Sequence, residues 1–168
     1  MTLEPLPDHA AAETLAYRRA LGTFATGVCV VTADGPQGPI GLTVNSFTSV
    51  SLQPRLILWC LDERSERAPV FAAAERFSLH MLAAGDRDRA NRFARGDWAL
   101  QDGDHVRQPE SAPHLTQVLA RFDCVIHERL PMGDHIIIVG RVERFEAGPG
   151  DGLTYFRGRY GIAAEEAS

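Results

Sequence analysis

The sequence predicts a mainly β protein, an antiparallel barrel with peripheral helices. Seven or so short apolar segments, several rich in β-branched residues, are separated by tight turns. They lack the regular alternation of strand and helix that is typical of parallel sheets. A length of 168 residues suits one domain with its own core. We assign residues 13–163 to this domain, with a flexible arm over 1–12 and a tail over 164–168.

The N-terminal part of the domain predicts a helix followed by a β-hairpin. Apolar residues recur at helical spacing over 13–25, and Gly27 ends that pattern. The β-branched run 28–32 predicts a buried strand. The turn 34–39, rich in glycine and proline, leads straight into the next segment.

The segment 41–52 starts as a strand and then becomes a row of polar side chains. Apolar residues alternate with Gly41, Thr43 and Asn45, as on the two faces of a strand. Four hydroxyls follow in six residues, at Ser46, Thr48, Ser49 and Ser51. A buried hydroxyl without a partner costs roughly 1–3 kcal/mol. Two interpretations stay open: a strand end whose hydroxyls bond the nearby backbone, or a wall that holds a polar ligand.

The middle of the chain predicts two strands, two helices and a loop. Strand 56–61 is apolar on both faces, which predicts cover on both sides by sheet, helix or a second subunit. The alanine-rich stretch 67–74 predicts a short helix, followed by strand 77–82 and a second helix over 86–95. The glycine-, proline- and aspartate-rich stretch 96–113 predicts a long surface loop.

The C-terminal half predicts a long antiparallel hairpin. Strands 122–129 and 134–145 flank a turn at 131–133 that contains proline and glycine. No internal repeat or low-complexity tract interrupts the order of elements. Most of the predicted elements along the chain are therefore strands.

The charge balance argues against several classes of partner. The 17 cations and 22 anions give a formal net charge of −5, and every cation is arginine. Broad binding of nucleic acid or anionic membrane needs a basic face that this balance does not supply. No apolar stretch approaches the roughly 20 residues that span a bilayer, and the N-terminus lacks the pattern of a signal peptide. We therefore expect a cytoplasmic protein with no nucleic-acid or membrane partner.

The cysteines and histidines do not predict a metal site. Cys29, Cys60 and Cys124 each lie in an apolar run without a spaced partner, so we interpret them as small buried hydrophobic residues. His80 lies inside a strand and His105 in the loop, and neither has the ligand spacing of a zinc site.

One candidate anion site follows the strand 56–61. Arg64, Ser65 and Arg67 stand at a strand exit just before a helix start, where free N–H groups and guanidinium groups favour a phosphate. The alternative is a solvated turn in which Asp62 and Glu63 neutralise the arginines. Residue spacing alone leaves both interpretations open.

A second candidate is a basic stripe on the helix 86–95. Arg89, Arg92 and Arg95 lie three apart and could close over a dinucleotide or a phosphate tail. Salt bridges with Asp86 and Asp88 are the alternative, and Asp86 is also a candidate helix cap.

His135 is the histidine best placed for a functional role. It opens an apolar strand after Gly133 and Asp134, so it should lie at the barrel rim, where an imidazole could contact a flat ring or donate a hydrogen bond. The alternative is a structural histidine with Asp134 as its turn partner. The sequence has no Gly-x-Ser-x-Gly, Walker or Gly-x-Gly-x-x-Gly motif, so redox chemistry would depend on a bound cofactor.

Several motifs in order resemble one family. They are Phe-Ala-Thr-Gly-Val at 24–28, Val-Val-Thr at 30–32, Gly-Leu-Thr-Val-Asn-Ser-Phe-Thr-Ser-Val-Ser at 41–51, Arg-Phe-Ala at 92–94, Gly-Asp-His at 133–135 and Tyr-Phe-Arg-Gly-Arg-Tyr at 155–160. Together they are similar to the flavin reductase-like family, the FMN-binding split barrels that reduce flavin for two-component monooxygenases. The resemblance covers about residues 16–161.

The resemblance also implies the residues of a site. His135 would help to place the nicotinamide. The residues expected to bind cofactor are Thr43, Val44, Asn45, Ser46, Ser49, Ser51, Cys60, Leu61, Asp62, Ser65, Arg92, Phe93 and Tyr160. The chain departs from the family at Pro54, where many relatives have two prolines, and over 97–113, which matches no family motif.

The implied function is an NAD(P)H-dependent flavin reductase. Such a homodimer would transfer hydride from NADH or NADPH to FMN, or to FAD, and supply reduced flavin to a flavin-dependent monooxygenase. One alternative is a non-catalytic flavin- or haem-binding split barrel that acts as a carrier or sensor. A structural dimer without a ligand is a third. The choice between FMN and FAD, and between NADH and NADPH, stays open.

Overall fold

The computed structural model describes residues 8–166, so most of the predicted arm, residues 1–7, lies outside the described range. The helices are α1 (Asp8–Leu21), α2 (Ala68–Ala73) and α3 (Arg87–Ala94). The strands are β1 (Thr26–Gly27), β2 (Cys29–Gly35), β3 (Gly38–Val44), β4 (Thr48–Leu52), β5 (Arg55–Asp62), β6 (Arg76–Met81), β7 (His105–Val106), β8 (His114–Leu115), β9 (Ala120–Met132), β10 (His135–Ala147), β11 (Gly152–Phe156) and β12 (Arg159–Ala163). Within this range no helix is long and apolar enough to cross a membrane.

One antiparallel sheet of seven strands forms the body of the molecule. Its order is β3-β2-β6-β9-β10-β5-β4, and each neighbouring pair runs antiparallel. A three-stranded sheet, β1-β11-β12, and the pair β7-β8 complete the β structure of the described residues. Helices α2 and α3 pack against strands of the large sheet. The predicted class, mainly β and antiparallel with a few helices, is confirmed.

Strand β10 lies inside the large sheet, between β9 and β5. It forms a hairpin with β9 whose turn is Gly133 and Asp134, and Gly133 has a φ of 64°, which glycine adopts at no steric cost. The turn therefore lies later than the predicted 131–133. On its other edge β10 pairs with β5, in a register that sets His135 opposite Asp62.

One face of β5 builds the main core. The buried residues on this face are Ile57, Trp59 and Leu61. The Trp59 ring packs edge-on against Phe71 and Phe77, with centroids 5.4 and 5.9 Å away. Leu56 and Leu58 on the opposite face are half-buried. The sequence predicted that both faces of this strand are covered. Within a single chain only the face with Ile57, Trp59 and Leu61 is fully covered.

A buried histidine fastens the long connection between α3 and β9 to the sheet. His80 is fully buried on β6; its Nδ1 donates to the Val30 carbonyl at 3.0 Å, and its Nε2 accepts from the Leu115 N–H at 3.1 Å. Burial lowers the pKa of His80 to about 3, so the imidazole is neutral. The predicted loop 96–113 is therefore anchored at its C-terminal end, and it also buries Leu100.

Helix α1 lies further towards the N-terminus than the sequence predicts. It begins at Asp8 and ends at Leu21, whereas the prediction was 13–25. Its end is closed by Gly22, whose N–H donates to the Arg18 carbonyl at 2.9 Å, and by Thr23, whose hydroxyl donates to the Ala20 carbonyl at 2.7 Å. Residues 8–12, assigned to the arm from the sequence, belong to this helix.

Two local predictions differ from the structure. The hairpin β11-β12 was missed because its turn depends on positive φ at Arg157 and Gly158, of 49° and 79°, and a non-glycine residue in that conformation is hard to foresee. Asp86 precedes α3 as predicted, but its carboxylate accepts from the Ala83 N–H at 3.1 Å and does not cap the helix.

We expect Gly140→Ala to destabilise the fold. A Cβ at Gly140 would collide with Cζ of Phe77 and would lie 2.8 Å from Cε1 of Phe77 and 3.0 Å from Cβ of Cys124, both in the core. Overpacking of this kind costs about 1–3 kcal/mol. Denaturant unfolding should show that loss, whereas Gly148→Ala, whose Cβ meets no atom within 4 Å, should stay near wild type. Equal stability of the two variants would contradict the packing described for Gly140.

Candidate functional site

A small polar cleft of 220 Å³ lies where β3 ends. Its lining residues are Leu42, Thr43, Val44, Asn45, Ser46, Cys60, Asp62, Ser65 and His135. All but Leu42 were predicted from the sequence to contact a cofactor or nicotinamide. The structure therefore brings together residues that are up to 92 positions apart, through the pairing of β5 with β10.

Two hydroxyls of this polar cleft form hydrogen bonds within the protein, one as an acceptor and the other as a donor. The Ser46 Oγ accepts the Cys60 N–H at 2.9 Å, which ties the segment after β3 to β5. The Thr43 hydroxyl donates to the Ala90 carbonyl at 2.7 Å, which ties β3 to α3. Ser46 therefore keeps a proton to donate, and Thr43 keeps lone pairs that can accept. The exposed Asn45 side chain has no hydrogen bond to another group among the described residues.

Arg64 neutralises the acid end of the polar cleft. Its guanidinium donates two hydrogen bonds of 3.1 Å to the Asp62 carboxylate, and its backbone N–H donates a third at 2.9 Å. These hydrogen bonds from Arg64 hold the pKa of Asp62 below its usual range. Arg64 also lies 3.5 Å from Asp134. The self-neutralising turn is the interpretation that the structure favours for Arg64.

Arg67 has a structural task rather than a place in the polar cleft. It donates to the carbonyls of Phe93 and Gly41 and stacks over the Trp98 ring, 5.1 Å from its centroid. Of the three residues expected to seat a phosphate after strand β5, only Ser65 lines the cleft.

His135 lies at the mouth of the polar cleft, with its ring oriented by a neighbour. The Nδ1 of His135 is 2.7 Å from Oδ1 of Asp134, and 40% of its side chain is exposed. The hydrogen bond with His135 lowers the pKa of the Asp134 carboxyl, so this carboxyl is ionised near neutral pH. The second ring nitrogen of His135 has no hydrogen-bond partner among the described residues.

A larger cleft of 610 Å³ adjoins the polar cleft and shares Thr43, Val44 and Asn45 with it. We call it the cationic cleft, because Arg87, Arg95 and Arg159 line it together with Asn91, Tyr155 and Tyr160. The Tyr155 and Tyr160 rings meet edge-on at 5.2 Å, and Arg87 lies over Tyr160 at 5.7 Å. Burial raises the pKa of Tyr160. Sequence analysis identified Arg95 and Tyr160 as candidates but missed Arg87 and Asn91.

An apolar cleft of 540 Å³ meets the other two at Asn45. Phe24, Phe47 and Leu82 contribute to its wall, and Ser46 lines it as well. The Thr26 hydroxyl is buried there and has no hydrogen-bond partner within the described residues. A buried hydroxyl without a partner is costly, so this cleft is suited to a ligand that carries a polar group on an apolar body.

Several predicted site residues lie outside these clefts. Leu61 is fully buried in the core because β5 turns it inward. Phe93 is also fully buried, and its ring fills the space beside Gly41, where a Cβ would lie 2.9 Å away. Ser49 and Ser51 lie on the edge strand β4, on either side of a bulge, and line none of the three clefts.

Arg92 holds a loop and does not reach any of the three clefts. Its guanidinium forms two hydrogen bonds to Asp104, of 3.0 and 2.9 Å, and a third to the Ala99 carbonyl at 2.7 Å. Asp97 lies 3.3 Å away. Together these contacts raise the pKa of Arg92. Arg92 thus forms salt bridges, but with Asp104 and Asp97 and not with the predicted Asp86 or Asp88. The predicted pairing with Asp86 occurs at Arg89, at 3.5 Å.

Comparison with known proteins identifies the family of the chain. The flavin reductase like domain model matches residues 21–164. The chain is 46% identical to the FMN reductase (NADH) SmoA of Agrobacterium fabrum, covering 86% of this chain and 83% of SmoA. The Streptomyces globisporus NADH:FAD oxidoreductase SgcE6, solved with NAD and FAD fragments, has a TM-score of 0.86 at 36% identity, over 94% of this chain and 96% of SgcE6.

Other relatives are longer than this chain. The reductase component of the flavin-dependent trigonelline monooxygenase of Acinetobacter baylyi is 38% identical over 90% of this chain, which spans 49% of that protein. The chain likewise spans 64% of the stachydrine N-demethylase reductase subunit Stc3 of Rhizobium meliloti. The resemblance inferred from the motifs is confirmed over nearly the whole chain. The chain belongs to the flavin reductase like domain family.

Proposed function

We propose that the protein is an NAD(P)H-dependent flavin reductase that supplies reduced FMN, or FAD, to a separate monooxygenase. The observation that carries the proposal is the meeting of three chemically different clefts at Asn45. A flavin and a nicotinamide dinucleotide present polar ring edges, apolar ring faces and phosphates. The polar, apolar and cationic clefts match these parts one by one.

The residues of the polar cleft would hold the ring edge of a flavin. Ser46 offers a hydroxyl proton, Thr43 offers a lone pair and Asn45 offers both an amide donor and an acceptor. The apolar cleft beside them would take the body of the ring, and the arginines of the cationic cleft would bind phosphate through charge-assisted hydrogen bonds. The donor set therefore fits the group.

Bound flavin supplies a ring that accepts hydride from nicotinamide when the two stack, so the protein has mainly to orient them. His135, oriented by Asp134, would contact the nicotinamide at the mouth of the polar cleft. Tyr160, held edge-on by Tyr155, would border the dinucleotide in the cationic cleft. No side chain of the site needs to act as acid, base or nucleophile.

The cationic cleft favours a reductase over the alternative of a non-catalytic carrier or sensor. A carrier that holds one flavin needs one phosphate seat. Here Arg87, Arg95 and Arg159 line a cleft of 610 Å³, which is large enough for a second phosphorylated ligand beside the polar cleft. The similarity to the FMN reductase (NADH) SmoA and to the reductase component of the trigonelline monooxygenase supports the same choice and a monooxygenase partner.

The sheet suggests how two copies would assemble. We propose that it closes as a split barrel and that a second copy covers the outer face of β5, where Leu56 and Leu58 are half-buried. Leu52 on the neighbouring strand is 87% exposed, and Phe24 after α1 is 77% exposed. Large exposed apolar side chains on adjacent strands are typical of an interface.

We expect the purified protein to oxidise NADH or NADPH only when FMN or FAD is added. The loss of nicotinamide absorbance measures this turnover directly. Boiled protein and flavin-free reactions provide the background. Rates at background with every combination of nucleotide and flavin would overturn the proposed function.

We expect His135→Asn to lower kcat/KM for the nicotinamide nucleotide about tenfold and to leave the Kd for flavin within twofold, because His135 is proposed to contact nicotinamide. Flavin fluorescence measures the second quantity. His127→Asn, an exposed histidine on β9, is the matched control. Unchanged turnover with a collapse of flavin binding would move His135 into the flavin site and favour the carrier alternative.

We expect the protein to sediment at twice the mass of one chain, and Leu58→Glu to shift it towards the monomer. A charge at Leu58 would be buried without a partner if a second copy covers β5. Met132→Glu, at the exposed tip of the β9-β10 hairpin, is the control and should not change the mass. A wild-type protein that sediments as a monomer at micromolar concentration would contradict this assembly.

A further inference from the structure

We infer that a second basic pocket beside the cationic cleft binds the ribose 2′-phosphate of NADPH; this assignment rests on the proposed reductase function. The pocket has a volume of 500 Å³. Its lining residues are Arg18, Arg19, Gly22, Thr23, Arg157 and Gly158. We call it the arginine pocket. Gly158 also lines the cationic cleft, so the two spaces are contiguous.

The partners of the 17 arginines single out this region. Eight form ion pairs with carboxylates, and three more donate to backbone carbonyls. The remaining six have neither kind of partner within residues 8–166: Arg18, Arg19, Arg87, Arg95, Arg157 and Arg159. All six line either the cationic cleft or the arginine pocket. In a chain of net charge −5, this concentration of uncompensated positive charge marks a binding path for an anion.

The arginine pocket is a built feature of the fold. The Arg157 N–H donates to the Gly22 carbonyl at 2.8 Å, which joins the β11-β12 turn to the end of α1. At the end of α1 the carbonyls of Arg18 and Leu21 accept from backbone N–H groups, and that of Ala20 accepts from the N–H and the hydroxyl of Thr23. Within residues 8–166 the guanidinium groups of Arg18 and Arg19 have no hydrogen-bond or ion-pair partner, and both residues line the pocket.

Charge counting selects the ligand. The phosphate of FMN and the pyrophosphate of NADH together carry about four negative charges, two fewer than the six arginines that line the cationic cleft and the arginine pocket. NADPH adds a phosphate monoester with a charge of about −1.5 to −2 at pH 7. In Rossmann folds an acidic residue binds the ribose 2′-OH of NADH, whereas an arginine accommodates the 2′-phosphate of NADPH, and the same charge preference applies at any site for this phosphate. Among the residues that the structure describes, no Asp or Glu lines the cationic cleft or the arginine pocket.

Steady-state kinetics with both nucleotides test the assignment. We expect R18S/R19S/R157S to raise the KM for NADPH at least ten times more than the KM for NADH. The variant R18K/R19K/R157K keeps the charge and should retain most of the NADPH selectivity. The exposed Arg107→Ser, which removes one positive charge outside the arginine pocket, should leave the ratio of the two KM values unchanged. Equal changes of both KM values in R18S/R19S/R157S would overturn the assignment.

Calorimetric binding of nucleotide fragments to the full chain gives a readout that does not depend on turnover. Because 2′,5′-ADP and 5′-AMP differ only in the 2′-phosphate, we expect wild type to bind 2′,5′-ADP at least tenfold more tightly and R18S/R19S/R157S to lose that difference. Equal affinities in wild type would overturn the pocket. If neither nucleotide is oxidised with any flavin, the reductase function fails, while a retained preference for 2′,5′-ADP still supports a 2′-phosphate site.

Discussion

The site depends above all on the register of β10 against β5. This pairing sets His135 opposite Asp62 and Ile137 opposite Cys60, so the rim histidine and the acid end of the polar cleft are fixed by backbone hydrogen bonds. A shift of one residue would turn each side chain to the other face of the sheet. The buried side of β5, with Trp59 against Phe71 and Phe77, makes such a shift costly because core and site share the same strand.

Much of the fold was predictable because its signals are local. The β-branched run before β3, the apolar strand 56–61 and the turn before His135 each predicted an element that the structure contains. The β11-β12 hairpin was not predictable in this way, since its turn rests on positive φ at Arg157 and its place is set by pairing with β1. The predicted end of α1 differs from the observed one because hydrogen bonds of the following turn, such as that of the Gly22 N–H, end the helix earlier.

The sequence predicted part of the residues that line the clefts. The predicted residues close to the end of β3 do line one cleft, and the unusual polar run inside a strand pattern is the signal that singled them out; their contact with a cofactor stays a prediction. Arg92 and Phe93 were assigned to a ligand on a motif, but the fold uses them for a salt bridge to Asp104 and for packing against Gly41. The arginines of the cationic cleft come from the start of α3, the residue after its end and β12, and only the tertiary structure shows that they form no ion pair within residues 8–166.

The bond between the Thr43 hydroxyl and the Ala90 carbonyl, described above as a link between β3 and α3, has a mechanical consequence. Arg67 adds a second link, since it donates to carbonyls on α3 and β3 at once. Strand and helix are therefore tied together at two points, and the walls of the polar and cationic clefts are joined through them. If ligands bind in both clefts as proposed, this shared frame would fix the position of one ligand relative to the other.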